Sequence, residues 1–121
     1  MPQFMLILRG DTTVDYSQWS PEDMQRVIGE YESWAANLAQ KNLLIDGKKL
    51  TDFDGKVVVP GKEGVTVKDG PYVETKEVVG GVYLIRAESF DHAVELCKNH
   101  PNLQFGSIEV RQLDFMGQPE E

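Results

Sequence analysis

The clearest periodicity in the chain lies between Ser20 and Gln40, where Met24, Val27, Ile28, Tyr31, Trp34, Ala35 and Leu38 recur at three- and four-residue steps. At about 100° per residue these positions gather into one stripe, so the spacing predicts a long amphipathic helix that turns the stripe to a core. Ser20 supplies a capping hydroxyl, Pro21 suits the first helical position, and Glu22 and Asp23 set negative charge at the positive end of the helix dipole. Gly29 falls on the polar face, where it costs about 1 kcal/mol against alanine without ending the helix. A second, shorter pattern starts at Ser89, with Phe90, Ala93, Val94 and Cys97 on one face and Asp91 in the first turn. It must end before Pro101, because proline disfavours helix in the residue ahead of it.

The remaining signals are those of strands. Phe4 to Leu8 and Val79 to Arg86 are nearly continuous apolar runs, the mark of central strands. Ile108 and Val110 alternate with Ser107, Glu109 and Arg111, as in a strand with one open face. Between Leu43 and Lys68 the short runs Val57-Val58-Val59 and Val65-Thr66-Val67 are separated by turn-forming Asp54-Gly55 and Pro60-Gly61, which predicts a hairpin-like excursion. The order strand, helix, strand or hairpin, strand, helix, strand is the βαββαβ pattern of a ferredoxin-like α+β sandwich, two helices on one face of an antiparallel sheet. One helical layer leaves the other sheet face bare, and a second copy of the chain is its simplest cover, so a homodimer is expected.

Length and composition narrow this picture. The 121 residues, 40% of them hydrophobic, suit one domain spanning 1–121 with a short acidic tail at 114–121, and folding of such a chain removes roughly two-thirds of its surface from water. Twenty acidic against twelve basic residues leave a net charge of -8, which repels polyanions; nucleic acid and anionic membranes are therefore not expected as partners. No stretch approaches the roughly 20 apolar residues of a membrane span. The opening run from Met1 to Arg9 lacks the basic start and cleavage site of a secretion signal and reads as a first strand. Cys97 is the one cysteine, so no intramolecular disulfide forms, the usage suits a reducing cytoplasm, and its place in a packing stripe marks an inert thiol.

One segment departs from ordinary linker composition: Asp69-Gly70-Pro71-Tyr72-Val73-Glu74-Thr75-Lys76-Glu77, running into Val78-Val79-Gly80-Gly81-Val82-Tyr83. Gly70 and Pro71 restrict the backbone, and an extended continuation puts Tyr72, Glu74 and Lys76 on one side, where carboxylate, ammonium and phenol converge on a polar pocket. The bland alternative is an edge loop with a solvated ion pair worth well under about 1 kcal/mol. Asp-Gly-Pro-aromatic followed by Glu-Thr-Lys-Glu and a Gly-Gly-aromatic strand resembles the signature of the DGPF-domain branch of the YCII-related family, with Tyr72 where that branch usually has phenylalanine. The opening Met5-Leu6-Ile7, the Ser20-Pro21-Glu22 helix start, the acidic helix after Ser89 and the ending Gly106-Ser107-Ile108-Glu109-Val110-Arg111 extend the likeness over about residues 3 to 113.

The resemblance implies a ferredoxin-like fold that pairs into a dimeric α+β barrel, in a family whose activity is largely unassigned. Isomerases and monooxygenases of the muconolactone isomerase type share that barrel, which makes an enzyme an expectation by fold analogy only. Some DGPF-domain genes accompany extracytoplasmic-function sigma factors, which implies a regulatory alternative. A His-Asp pair has been suggested for YCII-type proteins; Asp69 is the carry-over for the acid and His100 the histidine candidate.

Of the two histidines, His92 lies on the polar side of the second helix and reads as solvated. His100 follows that helix, where the dipole would favour its charged form, in a capping or a site role. No metal-ligand spacing, P-loop or dinucleotide-binding glycine string occurs, so neither a metal nor a cofactor is expected. Glu109 and Arg111 face the same way on the last strand, and Arg9 ends the first; they read as an exposed charge ladder or, with Arg111 turned into the barrel, as an anchor for a small acid. Two functions follow. One is a small-molecule-binding dimer with Asp69 as acid or base, Lys76 and Arg111 as positive charge, and Tyr72 and Glu74 shaping the pocket. The other is a non-catalytic module that controls a partner such as a sigma factor.

Overall fold

The computed structural model describes residues 1–11, 16–51, 54–70 and 77–116. Among the described residues, six strands and two α-helices follow one another as β1 (Gln3–Asp11), α1 (Pro21–Gln40), β2 (Leu44–Lys49), β3 (Lys56–Gly61), β4 (Gly64–Asp69), β5 (Glu77–Arg86), α2 (Phe90–Cys97) and β6 (Gly106–Gln112). The main sheet runs β2-β5-β1-β6 and is antiparallel throughout, while β3 and β4 form a separate two-stranded antiparallel sheet. This is the expected ferredoxin-like βαββαβ order, with the hairpin inserted between the second and third strands of the sheet.

The long helix starts as its sequence requires. Ser20 Oγ accepts from the Asp23 N–H at 3.0 Å, and the Asp23 carboxylate accepts in return from the Ser20 N–H at 3.3 Å, a reciprocal cap that satisfies two otherwise unpaired donors. Ser89 caps α2 one way, its hydroxyl accepting from the His92 N–H at 3.1 Å. The core unites Phe4, Leu6 and Leu8 of β1, Ile85 of β5, Trp34 and Leu38 of α1, and Ala93 and Cys97 of α2. Both helices thus cover the same face of the sheet. Trp34 also donates its indole N–H to the Leu96 carbonyl at 3.0 Å, tying α1 to α2.

The predicted helical stripes are broader than the surfaces they bury. Val27, Trp34 and Leu38 are buried, but Met24 and Ile28 stay 40% and 50% exposed, because the contact follows one border of the stripe and Ile28 lies about 100° around the helix from Val27. On α2, Phe90 and Val94 are likewise exposed, although Phe90 meets the edge of Phe4 at 5.0 Å. No described helix is long and apolar enough to cross a membrane.

Candidate functional site

The described part of the Asp-Gly-Pro motif lies at the end of the inserted hairpin. The Gly61–Gly64 turn sets a register in which Lys56 stands opposite Asp69, and the two side chains form an exposed ion pair. The Gly70 N–H donates to the Gly55 carbonyl at 2.9 Å, closing the hairpin base. A Cβ at Gly70 would meet the Val57 methyl at 2.9 Å, so the close approach explains the glycine. Thr51, Asp54, Gly55, Lys56, Asp69 and Gly70 line an open cleft of about 570 Å³. Lys56 has no place in the motif, and its pairing with Asp69 follows from a turn at residues 62–63; a turn centred on the predicted Pro60-Gly61 would have set Lys56 opposite Val65. Tyr72, Glu74 and Lys76 lie outside the described residues.

His100 occupies a different environment from the one its sequence context suggested. It is 2% exposed, its ring standing edge-on to Tyr31, Trp34 and Tyr83 with centroids 4.9, 4.6 and 5.4 Å away. Burial lowers its pKa to about 4, so the charged form expected from the end of α2 is replaced by a neutral ring: loss of hydration outweighs the dipole. Its Nδ1 accepts from the Asn102 N–H at 2.9 Å, capping the short 3-10 turn Pro101–Gln104 that follows. Nε2 lies 3.3 Å from the Tyr83 hydroxyl. Asn102, buried and unnoticed in the sequence, accepts from the Tyr31 hydroxyl at 3.1 Å and donates to the carbonyls of Ser107 at 2.9 Å and Arg9 at 3.3 Å, which joins α1, β1 and β6. Among the described residues Asp69 and His100 share no hydrogen-bond partner, and His100 is not among the residues that line the hairpin cleft. His92 is not simply solvated: its Nδ1 accepts from the Glu88 N–H at 2.9 Å beside the α2 cap.

Arg9, Glu109 and Arg111 meet on the sheet face away from the helices, since Ile108 and Val110 point to the core and their neighbours alternate outward. Arg9 donates to Glu109 at 2.9 Å and Arg111 at 3.4 Å, and the Arg9 guanidinium is the main reason the Glu109 carboxyl ionises below its usual range. Arg111 is 69% exposed, so two guanidiniums sharing one carboxylate leave a local positive surplus. Cys97 is buried, and desolvation pushes its thiol up to about 11, an unreactive state. Among the described residues no cluster of histidine, cysteine and carboxylate suits a metal ion.

The chain is similar in path to 5-chloro-2-hydroxyhydroquinone dehydrochlorinase from Burkholderia phenoliruptrix AC1100, solved in complex with 2,5-dihydroxybenzoquinone, at 20% identity over 93% of each chain with a TM-score of 0.46. An uncharacterised protein of Rhizobium meliloti (strain 1021) is 32% identical over 100 residues, 80% of this chain and 81% of its own length. The model of the YCII-related domain matches residues 5–115, and the chain belongs to that family.

Proposed function

We propose that the protein is a DGPF-branch member of its family that acts as a homodimer and binds a small organic acid at the hairpin base. The observation that carries this reading is the cleft of about 570 Å³ beside Asp69 and Gly70, within the roughly 300 to 1,000 Å³ usual for small-molecule sites and with an ammonium in its wall. The Lys56–Asp69 pair is exposed on both sides, so a ligand carboxylate exchanges with Asp69 at little cost. Tyr72, Glu74 and Lys76 complete the site in this reading, Asp69 serves as its acid or base, and Arg111 offers a second positive group at the sheet. Calorimetric titration with acetate, succinate, malonate and benzoate is the test. The parent should bind at least one acid saturably, and Lys56→Ala should weaken that binding about tenfold; a parent that binds none of them ends the proposal.

A second reading, a regulatory module acting on a partner such as an extracytoplasmic-function sigma factor, draws on the hairpin. Val58, Val65 and Val67 share one of its faces and are 60%, 70% and 59% exposed, an apolar patch suited to protein contact. Loss of partner binding without loss of acid binding on Val67→Lys would favour it.

A further inference from the structure

The proton on the His100 imidazole has only one place to be. Nδ1 faces a backbone N–H, which can only donate, so Nδ1 carries no proton. A neutral ring has one proton, and it therefore sits on Nε2. Nε2 in turn faces the Tyr83 hydroxyl, so the phenol oxygen is the acceptor of that contact. The reverse arrangement, with the phenol donating, would leave both ring nitrogens bare, a state the neutral imidazole does not have. Tyr83 therefore keeps its own proton, for which no acceptor is present among the described residues. Desolvation raises the Tyr83 pKa, so the phenol stays protonated.

The strand surroundings hold this phenol at the border between core and solvent. Tyr83 is half-buried and stands beside Gly47 of β2, where a Cβ would come within 2.8 Å of one edge of the ring. Its ring is also tilted against Trp34 at 4.9 Å. Trp34, His100 and the Gly47 backbone restrict the ring on three sides, and a restrained donor is the kind that selects a ligand oxygen.

We propose that the Tyr83 hydroxyl is a ligand-binding hydrogen-bond donor, fixed in its donating sense by the Nε2–H of His100, for the carboxylate or phenolate oxygen of a small acid. His100 is a positioning residue in this arrangement and does not itself touch the ligand. The class of ligand rests on the small-acid reading above; the donor assignment does not.

Two measurements test it. In the ligand-free protein, ¹⁵N NMR should find His100 neutral and protonated on Nε2 between pH 6 and 8; protonation on Nδ1, or a charged ring, overturns the proposal. Titration with benzoate, 4-hydroxybenzoate and succinate should then shift the Tyr83 ring resonances saturably, and Tyr83→Phe should weaken binding about tenfold with the melting temperature little changed. His100→Gln, whose amide can still donate, should keep more affinity than His100→Leu, both measured well below their melting points. If no acid shifts Tyr83 saturably, water is its only occupant and the proposal falls. If Lys56→Ala weakens binding and Tyr83→Phe does not, this inference fails while the hairpin cleft stands; the opposite result overturns the cleft and supports the donor.

Discussion

The same chemistry at one residue can serve a site or hold the core, and His100 shows how the two are separated. Its ordinary pKa is 6.5 and burial lowers it to about 4 in the folded protein. Between those values the unfolded chain binds more protons than the native one, so stability rises with pH across that window. The contribution is complete above about pH 6.5 and is lost as the pH falls toward 4. Its size is on the order of 3 kcal/mol. Urea melts at pH 4.5 and 7.5 should therefore differ more in the parent than in His100→Gln, and an identical pH dependence in the two would show that another group is responsible. Asp69 behaves in the opposite manner. Its carboxylate is 88% exposed and, among the described residues, is held by Lys56 alone, so Asp69→Asn should cost well under about 1 kcal/mol in a thermal melt. A loss above about 2 kcal/mol would mean that the residue holds its own turn and would remove it from any ligand site.

At the scale of elements, what was legible depended on whether a signal was local. Caps, stripes and turns are local, and α1, α2, the central strands and the β3–β4 hairpin all lie where the pattern predicts. The environment of His100 was not legible, because it depends on Tyr31, Trp34 and Tyr83, which come from two elements far away in sequence. Asn102 escaped notice for the same reason: its partners on α1, β1 and β6 meet only after the sheet has formed. The glycines give an element-level test. A Cβ at Gly106 would stand 1.8 Å from the Arg9 carbonyl oxygen, where β6 meets β1, so Gly106→Ala must push two backbones apart and should cost more than about 2 kcal/mol. Gly29 on α1 has nothing within 4 Å of its would-be Cβ, and Gly29→Ala should stabilise by about 0.5 to 1 kcal/mol. Denaturant melts of the pair give the order directly; equal effects would contradict the close packing of β6 on β1.

For the whole molecule, the decisive question is what lies against the sheet face that the helices leave. Met5 and Ile7 of β1 and Val82 and Leu84 of β5 form an apolar strip there, because their neighbours Phe4, Leu6, Tyr83 and Ile85 take the helical side. Arg9, Glu109 and Arg111 border that strip with charges of both signs. A twofold partner would lay apolar strip on apolar strip and could set the exposed Arg111 of each copy against an acid of the other, the self-complementary arrangement that a symmetric dimer requires. The net charge of -8 opposes this association only weakly at physiological salt, where charges more than about 8 Å apart are screened. Light scattering at micromolar concentration should therefore give twice the 13.6 kDa chain mass. Leu84→Lys is the informative variant. Residue 84 stands opposite Asp46 of β2, so a lysine there finds a partner on the isolated chain and folding should survive, whereas burial of that ammonium between two sheets would cost several kcal/mol. A folded monomer is the expected result. A Leu84→Lys protein that remains as dimeric as the parent would place the interface on another surface, and a parent that is monomeric at that concentration would remove the barrel.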